Sequence, residues 1–133
     1  MKKLNNKGFS LVELIIVIAI MVILVAVLAP QFTKYVERSR IGTDVQNASE
    51  IATAVQVALA EGKSLTSGTV DSSAVGSGND LSSLAVAPVT KSTTVGAGNN
   101  FSYTVTNGAV TVTANSKELF PGLDATVSAK LDD

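Results

Sequence analysis

Apolar side chains run almost without interruption from Phe9 to Ala29, and only Ser10 and Glu13 break the run. At about 1.5 Å per residue, a helix of this length reaches roughly 30 Å, which is the thickness of a bilayer core. The pattern therefore predicts a helix that can span a membrane. Glu13 is unusual there, because an ionised side chain at the centre of a bilayer costs about 2.5–3.5 kcal/mol. A carboxylate at this place indicates a function, and that function requires a partner for its charge.

The pattern becomes one-sided after this run. Apolar residues recur in steps of three or four, a spacing that predicts an amphipathic helix. Its apolar stripe is Ile41, Val45, Ala48, Ala52, Val55 and Leu59. The acidic and amide residues that we expect away from this stripe are Asp44, Asn47, Glu50 and Glu61. Gly62 is a normal helix stop, and Pro30 is predicted to kink the helix because proline removes a backbone hydrogen bond. Residues 9–61 are therefore predicted to form one long, bent helix.

Alternating apolar and polar residues predict two β-strands, 101–106 and 109–114. The pair between them, Asn107-Gly108, favours a two-residue type I′ turn. This turn sets Phe101 opposite Ala114, Tyr103 opposite Val112 and Val105 opposite Val110. The apolar positions of both strands then share one face of the sheet.

The remaining residues give weaker patterns. Residues 63–80 are rich in Ser, Gly and Thr and are predicted to form a surface loop. Residues 81–87 are compatible with a short helix or a strand, and Pro88 ends either one. Residues 123–131 alternate between apolar and polar side chains after a turn at Pro121-Gly122. This alternation predicts a third strand with one buried face.

Together these elements predict an α+β fold. A long bent N-terminal α-helix, first transmembrane and then amphipathic, packs on a small antiparallel β-sheet of three or more strands. The chain then divides into a basic leader (1–8), a hydrophobic helix (9–30), an amphipathic helix half (31–62) and a globular domain of loop plus antiparallel sheet (63–133).

The amino-acid composition argues against several classes of function. The 133 residues include no cysteine and no histidine, so the chain lacks disulfides, thiolate ligands and the commonest catalytic base. The net charge is −1, and without the three leader lysines seven basic side chains would face eleven acidic ones. This balance argues against a nucleic-acid groove, which needs a clustered basic surface. We expect no enzymatic activity, no catalytic residue and no cofactor.

A calcium site is the metal site that the acidic residues bring into question, because hard cations bind several oxygen ligands. The acidic residues concerned are Asp80, Asp124, Asp132 and Asp133. They form no spaced Asp-x-Asp loop, so solvated surface charges are favoured over a metal site.

Three interpretations of the apolar run compete. A secretory signal peptide would have a shorter apolar stretch without a glutamate. Cleavage after Ala29 would also place Pro30 directly after the cut, where proline disfavours cleavage. A plain membrane anchor explains the length but leaves Glu13 without a role. A helix that lies first in a bilayer and later among protein neighbours explains both features.

Residues 7–14 read Lys-Gly-Phe-Ser-Leu-Val-Glu-Leu, between a basic leader and an apolar run that ends at Pro30. This segment resembles the N-terminus of type IV pilins and the related pseudopilins, over about residues 1–40. The resemblance implies that a membrane peptidase cuts between Gly8 and Phe9 and that Phe9 is then N-methylated. The apolar segment would stay in the mature chain, and Glu13 would neutralise the α-amine of Phe9 of a neighbouring subunit.

The resemblance also implies partners and a location. The chain would be the major subunit of a type IV pilus, a homopolymer that depends on a prepilin peptidase and methyltransferase and on pilus assembly platform proteins. It would start in the cytoplasmic membrane, with its N-terminus inside and its C-terminal domain outside, and end in an extracellular fibre. Two alternatives stay open: a pseudopilin of a type II secretion or DNA-uptake system, and a membrane-anchored binding domain that does not polymerise.

Overall fold

Helix α1 spans Leu11–Ala60 in the computed structural model, which describes residues 8–133. This confirms the prediction of one long N-terminal helix. Pro30 lies inside α1 and the helix continues through it, whereas the kink stays a prediction. Except for Gly8, the predicted leader lies outside the described residues. The chain divides between Tyr35 and Val36 into two structural units.

In the first unit, the large apolar side chains of α1 are exposed on all sides. From Leu11 to Leu28 their exposed fractions lie between 51% and 74%. A surface helix of a soluble domain shows one buried and one exposed face, whereas this part of α1 is apolar all round. The helix is long and apolar enough to cross a membrane, and the apolar stretch has no buried residue. It is therefore not a core helix of the described chain.

In the second unit, the C-terminal part of α1 buries one stripe. The buried residues are Ile41, Asp44, Ala48, Ile51, Ala52, Ala54, Val55 and Ala58. Val45 and Leu59, which were predicted for the stripe, are partly buried and pack against it. The expected position of Asp44 away from the stripe is wrong. Positions 41, 44, 48, 51, 55 and 58 follow one another in steps of three or four, so Asp44 lies on the stripe itself.

Gly62 ends α1, as the sequence predicted. Its φ of 88° is left-handed, a conformation that glycine adopts without steric cost. The Gly62 N–H donates to the Leu59 carbonyl at 3.0 Å, and the Lys63 N–H donates to the Ala58 carbonyl at 3.0 Å. This pair of bonds is a Schellman motif, which satisfies carbonyl groups that the helix end leaves without partners.

Four antiparallel strands form a sheet in sequence order. They are β1 (Ser67–Val70), β2 (Phe101–Thr106), β3 (Ala109–Ala114) and β4 (Lys117–Phe120). The β2–β3 hairpin has the predicted register, with Tyr103 opposite Val112. Asn107 and Gly108 have φ values of 52° and 81°, as a type I′ turn requires. The predicted α+β fold with an antiparallel sheet is confirmed.

The two edge strands were not predicted. β1 lies inside the segment that was expected to be only a loop, because its Ser67-Gly68 pair has low strand propensity. Gly68 pairs with Tyr103, and a Cβ atom at Gly68 would lie 2.8 Å from the Tyr103 hydroxyl oxygen. Gly68 therefore weakens the strand pattern in the sequence and also leaves space for the Tyr103 side chain. β4 follows a turn at Asn115 and Ser116, both of which have positive φ.

The predicted third strand at residues 123–131 is wrong, because helix α2 spans Ala125–Asp132. Asp124 is its N-cap, and the Asp124 carboxylate accepts a backbone N–H of the first turn at 2.9 Å. Val127 is buried and Leu131 packs partly against the core. Apolar residues four positions apart satisfy both a period of two and one face of a helix, and the capping aspartate decides for the helix.

Residues 81–87 form neither of the two predicted elements. Leu81 is fully buried, and its N–H donates to the Ala74 carbonyl at 2.8 Å. A helix of this length is unstable by itself, because the free-energy cost of nucleation exceeds the stabilisation from so few helical hydrogen bonds. Leu81 instead joins a core with α1, the sheet and α2. The largest fully buried apolar members are Ile41, Ile51, Val55, Val70, Leu81, Val95, Phe101, Val112, Leu119 and Val127.

Candidate functional site

The predicted processing site precedes the first turn of α1. Gly8 and Phe9 lie outside regular secondary structure and are exposed, Phe9 to 87%. Exposed segments without regular hydrogen bonding are the usual substrates of proteases. The bond between Gly8 and Phe9 is therefore accessible to a peptidase, and the cut itself stays a prediction.

Ser10 and Glu13 form a reciprocal pair of hydrogen bonds at the start of α1. The Ser10 N–H donates to Glu13 Oε2 at 3.0 Å, and the Glu13 N–H donates to Ser10 Oγ at 3.3 Å. The Ser10 carbonyl accepts the N–H of Leu14 at 3.3 Å, which makes Ser10 the N-cap. The arrangement is a capping box, which satisfies two backbone donors that the helix start leaves without partners.

Glu13 is also isolated in charge. It is the only charged residue between Phe9 and Thr33, and its neighbours on α1 are exposed apolar side chains. The capping box gives the carboxylate one N–H donor but no opposite charge. Within a bilayer or a protein assembly, this carboxylate would still need a cation to offset its desolvation.

A second set of acidic contacts lies in the globular unit. Asp44 is fully buried on α1. Its Oδ1 accepts the N–H of Lys91 at 2.8 Å, and its Oδ2 accepts the N–H of Ser92 at 2.8 Å. A buried carboxylate that accepts two backbone N–H groups satisfies those donors and holds the backbone in one place. We call residues 90–96 the clamped loop.

Glu37 holds the same loop from a position two helical turns before Asp44. Its Oε1 accepts the Ser92 hydroxyl at 2.6 Å and the Thr94 N–H at 2.8 Å. Burial by itself raises the pKa of the Glu37 carboxyl, but the hydrogen bonds from Ser92 and Thr94 outweigh it and lower this pKa from 4.5 to about 2. Lys117 also contacts this loop, because its Nζ donates to the Thr94 carbonyl at 2.7 Å.

The lowered pKa of Glu37 predicts a pH-dependent contribution to stability. This contribution is fully present above pH 4.5 and is lost as the pH falls towards about 2, because protonation removes the charged acceptor. We expect the wild-type chain to be more stable than Glu37→Gln by about 1 kcal/mol at pH 7. Urea unfolding of the full chain in detergent micelles, at a series of pH values, measures the difference. A difference that stays constant between pH 4.5 and 2 would contradict the prediction.

This pair of carboxylates was not predicted from the sequence. Glu37 and Asp44 are seven residues apart, a spacing that places both on one side of a helix. That spacing is the local signal that both carboxylates share. Their partners are 47 to 57 residues away along the chain, and no local pattern connects positions so distant.

Two of the four acidic residues that were considered for calcium make local contacts. Asp124 caps α2, and the Asp133 carboxylate lies 3.9 Å from Lys130 Nζ. Among residues 8–133, no group of three His, Cys, Asp or Glu side chains is arranged to hold a metal ion.

Comparison with known proteins points to the N-terminal segment. Residues 3–29 match the family described as "Prokaryotic N-terminal methylation motif". The chain is 43% identical over 62 residues to a "Fimbrial protein" of Pseudomonas aeruginosa. It is 41% identical over 63 residues to a "Type IV major fimbrial protein FimA" of Dichelobacter nodosus. It is 42% identical over 60 residues to a "Prepilin peptidase-dependent protein A" of Clostridium perfringens.

These similarities cover part of each protein. The matched segments are 44–47% of this chain and 40–43% of the relatives. The chain thus spans about two fifths of the length of the curated relatives it matches. No solved structure matches it.

Proposed function

We propose that this chain, a type IV pilin by its N-terminal motif and its similarity to fimbrial proteins, is the major structural subunit of a type IV pilus. The observation that carries the proposal is the uniform exposure of the apolar part of α1. An apolar surface that extends from Leu11 to Leu28 is stable only in contact with lipid or with other protein. Copies of the same helix provide protein cover in a filament, and the bilayer provides lipid cover before assembly.

The proposal includes the processing that the N-terminal motif implies. A prepilin peptidase cuts the Gly8–Phe9 bond on the cytoplasmic side, and the new α-amine of Phe9 is methylated. Methylation keeps the positive charge of the amine, whose reference pKa of about 7.7–8.0 leaves it mostly protonated at neutral pH. The helix stays in the membrane, with the globular unit outside, until the subunit enters the fibre.

Glu13 is the proposed partner of this amine. As one subunit moves beside another, the Glu13 carboxylate of one and the Phe9 amine of the other neutralise each other. A buried ion pair of this kind adds little net stability, because desolvation offsets much of the attraction. The pair instead fixes the axial position of one subunit relative to the next, since any other axial stagger leaves two buried charges unpaired.

Two measurements test the proposed function. Mass spectrometry of the mature chain is expected to show a start at Phe9 with one added methyl group. Electron microscopy, with an antibody against the globular unit, is expected to show long surface fibres labelled along their length. A start at Met1 would favour a plain anchor, and a start after Ala29 would make the run a signal peptide. Correct processing without long fibres would favour a pseudopilin.

A further inference from the structure

The capping box lies next to the end that processing creates. Ser10 and Glu13 both follow the Gly8–Phe9 bond, so the mature chain keeps the two hydrogen bonds of 3.0 and 3.3 Å. The donor to Glu13 Oε2 is the amide nitrogen that joins Ser10 to Phe9. The carboxylate is therefore held at the cut end of the helix, one residue from the α-amine of its own chain.

The box uses only part of the carboxylate. The Ser10 N–H binds Oε2, whereas an ionised carboxyl group has two oxygens with about four acceptor sites. An incoming amine can bind without breaking the box. A glutamate side chain that is already held in one direction loses less conformational freedom when a partner arrives.

We propose that Ser10 is a positioning residue for subunit assembly, through its hydroxyl group. The hydroxyl accepts the Glu13 N–H and fixes the N-cap, and the N-cap amide then holds the Glu13 carboxylate towards the approaching amine of a second copy of this chain. The inference rests on the proposed function, because it assigns a residue to the same pairing. Ser10 acts through Glu13 and contacts no partner in this account.

A set of Ser10 variants separates positioning from simple helix capping. Threonine keeps a hydroxyl acceptor, alanine removes it and caps poorly, and glycine removes it but is still tolerated at an N-cap. We expect Ser10→Ala and Ser10→Gly each to lower the ratio of surface fibres to membrane subunits about fivefold, and Ser10→Thr to keep the wild-type ratio. Thr33→Ala is the matched control, since it removes another exposed hydroxyl of α1, which donates to the Pro30 carbonyl.

The outcomes distinguish this inference from the proposed function. If Ser10→Gly has the wild-type ratio of surface fibres to membrane subunits, Ser10 acts only as a helix cap. If Ser10→Ala has the wild-type ratio, Ser10 has no role in assembly. Either result overturns the inference while the Glu13 pairing can still stand. The mature mass of every variant is measured, so that altered processing is seen separately from altered assembly.

Hydrogen exchange of the residue-10 amide gives a second measurement that does not depend on fibres. In the purified full chain in detergent micelles, we expect this amide to exchange about fivefold faster in Glu13→Ala than in the wild type, because its acceptor is lost. Glu13→Gln keeps an acceptor oxygen and is expected to exchange like the wild type. Equal rates in Glu13→Ala and wild type would overturn the inference, even if a Ser10 variant were not processed.

Discussion

Glu13→Ala is expected to reach the membrane, to be processed between Gly8 and Phe9, and to form at least about a hundredfold fewer fibres than the wild type. The reason is the neighbour's α-amine, which would be buried among apolar side chains without a partner. Removal of one member of a buried ion pair costs about 3–5 kcal/mol, which corresponds to two or more orders of magnitude in an equilibrium. The measurement is the amount of sheared surface fibre relative to the membrane pool.

Two further variants define what Glu13 contributes. Glu13→Gln keeps an oxygen for the Ser10 amide but has no charge, so it is also expected to fail in assembly. Glu61→Ala is a matched control, because it removes an exposed carboxylate beyond the end of α1. It is expected to assemble normally. Normal fibre yield from Glu13→Ala would refute the pairing, whatever the controls show.

Asp44→Ala is expected to lower the free energy of unfolding of the chain by about 2–4 kcal/mol. Two backbone N–H groups, those of Lys91 and Ser92, would lose the acceptors that they now reach at 2.8 Å. Each buried donor without an acceptor costs about 1–3 kcal/mol. Urea unfolding of the full chain in detergent micelles gives the change, and hydrogen exchange of the two amides gives its location.

The control for Asp44 is an acid of the same type on the surface. Asp132→Ala removes an exposed carboxylate near the end of α2, and surface substitutions of this kind change stability by less than about 0.5 kcal/mol. Asp44→Asn should fall between the two, since an amide oxygen can replace only one of the two acceptors. If Asp44→Ala unfolds like Asp132→Ala, the clamped loop does not depend on this carboxylate.

The parts of the fold that could be predicted are those with local signals. The β2–β3 hairpin followed from Asn107-Gly108, because a two-residue turn with positive φ fixes the register of both strands. α1 was predicted from the continuous apolar run of residues 9–29 and from the apolar stripe, in steps of three or four, that follows it. The predicted processing site and Glu13 both lie within residues 8–13, so one short motif indicates both, and their roles stay predictions. The spacing of Ser10 and Glu13 also fits a capping box, which was not predicted from the sequence.

The parts that could not be predicted depend on distant contacts. Asp44 is buried because a loop almost fifty residues later brings two N–H donors to it, and its own neighbours give no sign of them. β1 exists because β2 offers a free edge, although Gly68 weakens the local strand pattern. α2 was misread because Val127 and Leu131 fit two periodicities, and Asp124 was not considered as a cap.

The two edge strands of the sheet are short, which has a consequence for the proposed fibre. β1 and β4 have four residues each, and they carry Gly68 and Lys117. An exposed strand edge is a template for joining a second sheet, and short edges with glycine or lysine resist this. In the proposed fibre, the identical sheets of many subunits would lie close together. Their short edges would prevent the sheets of adjacent subunits from hydrogen-bonding to one another, so that the fibre would grow through helix contacts alone.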